Sequence, residues 1–144
     1  MNTWLLGALL GSVGLVMGAG SLTGWYGAPV ELSLWTALGI GWLLAARRWA
    51  PAMPARTVAW AGAVSGVTTG LIQAAFAVTL VTNNTDYATV GPAAVDAAVR
   101  AQFFAFALAL GVVWGLLFAA ITALVGRLAR RRQAAAASSP GSVS

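Results

Sequence analysis

Any chemistry in this chain would have to come from three carboxylates, eight basic side chains and a glutamine set deep in an apolar run. Cysteine and histidine are absent, and every basic side chain is arginine. Those absences remove disulfides, thiolate metal sites, the usual zinc and haem ligands and the usual general base. Catalysis needs a nucleophile with a base, a bound metal, or paired carboxylates. Glu31, Asp86 and Asp96 instead stand at or outside the ends of apolar segments, and no segment sets two titratable groups facing each other. The sequence predicts a protein that is not an enzyme and holds no cofactor or metal.

The glutamine is Gln73, inside the uncharged run Thr57–Thr82. That run is about 26 residues, enough to cross a bilayer as one tilted helix. An amide in hydrocarbon is costly unless it is bonded, so Gln73 is expected to face other helices or a second copy. Thr69 shares its stripe and Thr68 lies slightly off it; their hydroxyls can bond carbonyls one turn back. Two roles fit the trio. The favoured one is interhelical hydrogen bonding, worth about 0.6–2 kcal/mol. The alternative is a polar contact along a solute path between copies.

The elements that position these residues follow from composition. The chain is 60% hydrophobic and 8% charged, with mean hydropathy +0.84, whereas a soluble domain carries charge on about a quarter of its residues. The apolar residues form four blocks, 4–22, 32–50, 57–81 and 101–125. The expected fold is an all-α four-helix transmembrane bundle over 1–132, followed by a disordered tail over 133–144. The richness in Ala, Gly and Arg suggests a bacterial inner membrane. Met17–Ser21 resembles a small-residue cleavage site, but no positive segment precedes the first block, so it is expected to remain as a span.

Glycines recur at helix-face spacing in three blocks: Gly7, Gly11, Gly14 and Gly18; Gly62, Gly66 and Gly70; Gly111 and Gly115. Helix association in lipid depends on close van der Waals approach, which such ridges allow. Ridges on three of the four spans exceed what internal packing requires, and so predict a homo-oligomer or membership of a larger membrane complex.

Between the spans, Trp25 and Tyr26 are suited to the headgroup level. Pro29 and Glu31 suit the first turn of the second helix, where the dipole favours an anion. Asn83-Asn84-Thr85 fits the glycosylation acceptor pattern in the one sizeable polar loop. From Pro92 to Arg132 nothing breaks a helical pattern of about 41 residues, roughly 60 Å and twice the hydrocarbon thickness. The N-terminal end of this fourth helix is therefore expected to stand beyond the bilayer, with Asp96 and Arg100 paired there.

Arg47, Arg48, Arg56, Arg127, Arg130, Arg131 and Arg132 all fall on one side of a four-span topology; Glu31, Asp86, Asp96 and Arg100 fall on the other. The positive-inside rule then puts both termini in the cytoplasm of a multi-pass membrane protein. The same distribution explains the net charge of +5 without nucleic acid, because no basic face with interleaved aromatics exists. The chain is expected to be a small non-catalytic membrane protein, accessory to a membrane assembly or self-associating. The alternative is a small homo-oligomeric transporter or channel for a neutral or weakly polar solute, with a path near Thr68, Thr69 and Gln73.

Overall fold

The computed structural model describes residues 2–24 and 27–138. Trp25 and Tyr26 therefore lie outside the described residues, as do Met1 and the segment from 139 to 144. Described residues form helices and turns, with no strand among them. Four segments are long and apolar enough to cross a membrane: Thr3–Leu22, Pro29–Trp49, Pro54–Ala75 and Ala97–Ala136.

The first segment is two helices, α1 (Thr3–Gly11) and α2 (Gly14–Leu22). The interruption falls at Gly11-Ser12-Val13-Gly14, a sequence of weak helix formers. There the Ser12 hydroxyl donates to the Leu9 carbonyl at 2.7 Å, competing with the backbone ladder. Gly24, at φ +67°, ends the span in the left-handed conformation that glycine adopts without strain.

The second segment is α3 (Ala28–Trp49), opened by Pro29 with Glu31 in its first turn and closed by Arg47 and Arg48. Both charges complement the helix dipole. A tight turn leads to α4 (Pro54–Ala75), which breaks at Phe76 (φ −108°, ψ 33°) before the short α5 (Ala77–Asn83). The third span thus bends where the sequence pattern is unbroken.

The fourth helix, α6, runs Ala97–Ser138, 42 residues or roughly 63 Å. It starts later than the sequence pattern suggests. Pro92–Ala94 is a separate 3-10 turn, and the Asp96 carboxylate accepts from the Val99 backbone N–H at 2.9 Å, which makes Asp96 the N-cap. The expected Asp96–Arg100 pairing is therefore replaced by a cap. The helix also continues through Ala134–Ala137, expected to be disordered, because alanine sustains a helix without packing partners.

The helix α4 is the hub: it packs against α1, α2, α3 and α6. A core of Trp35, Trp42, Ala46, Val58, Ala61, Phe118 and Ala119 lies where α3, α4 and α6 meet, with Met17 of α2 packed into it. Large apolar side chains such as Leu9, Val16, Leu44, Leu71, Leu116 and Leu124 point outward, as expected where the surrounding medium is hydrocarbon.

Candidate functional site

The glycine ridges face one another. A Cβ at Gly111 would stand 2.5 Å from the Gly66 Cα, and one at Gly62 would collide with Gly115. At Gly66 and Gly70 the obstructions are the carbonyls of Ala107 and Phe104, each at 2.9 Å. Gly115 closes the seam against Gly62. On the opposite face of α4, Gly7, Gly11, Gly14 and Gly18 lie against Trp60, Ala61, Ser65 and Ile72 respectively. A Cβ at any of these nine glycines would meet another helix of the same chain. The premise that ridges are left over for a partner does not survive this geometry.

The polar stripe closes internally as well. Gln73 donates its amide to the Ser21 hydroxyl at 3.1 Å, and Ser21 donates onward to the Gly18 carbonyl at 2.7 Å. Thr69 donates to the Gly14 carbonyl at 2.9 Å. Thr68 reaches the carbonyls of Val64 at 3.0 Å and Ser65 at 3.1 Å, with a longer contact of 3.4 Å to Gly11. Thr69 and Gln73 are buried between α4 and the first span.

A further set of contacts has no counterpart in the sequence pattern: side chains that take carbonyls left over where helices stop. In a straight first span the carbonyls of Leu9, Leu10 and Gly11 would accept from Val13, Gly14 and Leu15. After the interruption, Leu15 instead bonds Ser12. Ser12 and Trp42 donate to the first two of those carbonyls at 2.7 and 3.2 Å, and the Thr68 hydroxyl lies 3.4 Å from the third. At the far end of α2, Asn84 donates to the Ser21 carbonyl at 3.2 Å and Asn83 to that of Leu22 at 3.0 Å. Below the Phe76 break, Arg100 Nη1 donates to the Ala74 and Ala75 carbonyls at 2.7 and 3.0 Å. An unpaired carbonyl in hydrocarbon costs several kcal/mol, so each cap is a condition for its break.

The charged ends differ. At one end Glu31, Asp86, Tyr87 and Phe106 line a cavity of about 270 Å³, with Tyr87 edge-on to Phe103 at 5.3 Å. At the other end the arginines gather. Arg56 lies 4.2 Å over the Trp4 ring, a cation–π contact. Arg47, Arg127 and Arg130 surround the turn between α3 and α4, Arg132 lines a separate surface cleft with Leu128, and Arg48 and Arg131 project outward. Among the described residues, no three metal-ligating side chains come together. Neither the sequence nor the fold matches any known protein family, curated protein or solved structure.

Proposed function

We propose that this chain is a small non-catalytic protein of the inner (plasma) membrane, with both termini in the cytoplasm, that acts as a helix-packing subunit through its second span. One observation carries the reading: α3 keeps a face of small residues that is exposed among the described residues. Ser33, Ala37 and Gly41 recur every fourth residue and are exposed; a Cβ at Gly41 would meet nothing within 4 Å. This is the spacing that lets transmembrane helices approach closely. Only 22% of this span's apolar window is buried, against 44% for the third span, so α3 has the larger surface to offer. The simplest occupant is the same face of a second copy, related by a two-fold axis.

The solute-path alternative has less support, because the Gln73–Ser21 and Thr69–Gly14 bonds would have to part for a path to open. Absence of cysteine makes the test of self-association clean. Gly41→Cys in native membranes should give an oxidised disulfide dimer, whereas Leu116→Cys, on an exposed face of α6, should stay monomeric. A Gly41→Cys chain that also remains monomeric refutes the second-copy interface. A reporter fused after Ser144 should be active in the cytoplasm; activity outside would reverse the topology.

A further inference from the structure

The arginine end does more than mark a topology. Arginines placed only to stop a span would project separately into the headgroup layer. Here Arg56, Arg127 and Arg130 line one cavity of about 420 Å³ around the Pro51–Pro54 turn. Arg47 lines the adjoining cavity of about 260 Å³, which shares Pro51, Pro54, Thr122, Gly126 and Arg130 with the first. The four arginines come from α3, α4 and α6, separated by up to 83 positions in sequence (Arg47 to Arg130), so only the tertiary fold sets them around one turn.

Three features suit this bowl to an anion. No carboxylate offsets it: among the described residues the acids are Glu31, Asp86 and Asp96, all at the opposite ends of their segments. Gly126 leaves room, since a Cβ there would meet only Arg130 Nη1 at 3.8 Å; the Arg130 side chain thus folds back along its own helix toward the cavity. Finally, α4 begins beside the bowl at Pro54 with no side-chain cap, so the positive end of a 22-residue helix adds to the same field.

We infer that this bowl binds the phosphodiester headgroup of an anionic phospholipid. A lipid is favoured over a soluble anion by position. The bowl opens at the turn between the end of the second segment and the start of the third, which in a bilayer-spanning chain stands at the headgroup level. Basic pockets between helices on the cytoplasmic side have this chemistry generally, and guanidinium offers phosphate a paired donor geometry. The inference requires insertion in a bilayer but not the α3 interface proposed above.

The test uses full-length protein purified in mixed micelles containing either phosphatidylglycerol or phosphatidylcholine, with retained lipid counted by native mass spectrometry. Two double variants remove the same charge. Arg47→Gln with Arg130→Gln removes it from the bowl; Arg48→Gln with Arg131→Gln removes it from side chains outside both cavities. Phosphatidylglycerol should be retained over phosphatidylcholine, the bowl pair should lower that retention roughly thirtyfold, and the outer pair should change it less than threefold. Equal losses in the two pairs would mean diffuse charge rather than a site, and overturn the inference. So would equal retention of both lipids, or displacement of phosphatidylglycerol by millimolar inorganic phosphate, which would indicate a soluble-anion site. Should the bowl pair lose helical circular dichroism, Arg130→Gln alone replaces it, with about a fivefold loss expected and no loss overturning the assignment.

Discussion

Trp42 of the second span donates its indole N–H to the backbone carbonyl of Leu10 in the first, at 3.2 Å. Two structural facts meet in that bond. The first span is interrupted just beyond Leu10, which frees the carbonyl, and Trp42 is almost completely buried (2% exposed), where its N–H also needs a partner. Trp42→Phe keeps most of the packing and leaves the carbonyl unpaired. The variant should lose about 1–3 kcal/mol in reversible unfolding by sodium dodecyl sulfate. A loss below about 0.5 kcal/mol, the range of ordinary surface changes, would mean that the carbonyl finds another donor.

Arg100 carries a similar role on the acidic side. Its two bonds to Ala74 and Ala75 place a cation at the C-terminal end of α4, where the dipole favours it, and account for a break that has no proline or glycine beneath it. Arg100→Met should destabilise by about 1.5–3 kcal/mol, the range for hydrogen bonds to charged groups. Amide exchange should also rise around Phe76. Arg100→Lys should retain part of the effect, because the charge remains while the fork geometry is lost. Unchanged exchange at Phe76–Leu80 in the Met variant would separate Arg100 from the bend.

The seam between α4 and α6 is glycine against backbone, with no slack for a side chain. At Gly62 an added Cβ would stand 2.5 Å from the Gly111 carbonyl oxygen. Gly62→Leu should therefore cost about 1–3 kcal/mol or more by overpacking. Gly41→Leu, with nothing nearby to strike, should leave unfolding of the single chain within about 0.5 kcal/mol of wild type while abolishing any association through α3. Equal destabilisation by the two would show that the seam is looser than its geometry implies.

The four apolar segments were legible in the sequence because length and hydropathy alone define them. Glycine spacing likewise identified the packing faces, since period and residue size act locally. What each face packs against was not legible. Gly62 and Gly111 are equally suited to a neighbouring chain and to each other, and only the tertiary fold decides. The helix breaks show the same limit. Ser12 between glycines is a weak point that spacing could have flagged, whereas the bend at Phe76 depends on Arg100, 24 positions away. Arg100 did carry one clue: it is the lone arginine on the side with all the acids.

Ser65 offers a prediction of opposite sign. Its hydroxyl is buried and has no hydrogen-bond partner among the described residues, although it shares a helix face with Thr69, which is bonded. Removing an unsatisfied hydroxyl relieves a desolvation penalty. Ser65→Ala should be neutral or stabilising by up to about 1 kcal/mol, whereas Thr69→Val should cost about 0.5–1.5 kcal/mol. The two variants measured side by side check the assignment, and a clear loss in Ser65→Ala would reveal a partner such as bound water.

Gln73 and Ser21 separate a structural contact from a solute path. If their bond is a tie between the third and first spans, Gln73→Leu and Ser21→Ala should each destabilise, and a double-mutant cycle should return a coupling of about 0.6–1.7 kcal/mol. Ser21→Ala leaves the buried Gln73 amide without its acceptor, whereas in Gln73→Leu the Ser21 hydroxyl keeps the Gly18 carbonyl, so Ser21→Ala should cost more than the leucine variant. A solute path makes different demands: flux in proteoliposomes should fall in Gln73→Leu while the stability coupling stays near zero. Measurable coupling with no solute flux in wild type would fix Gln73 as part of the scaffold that holds the first span against α4.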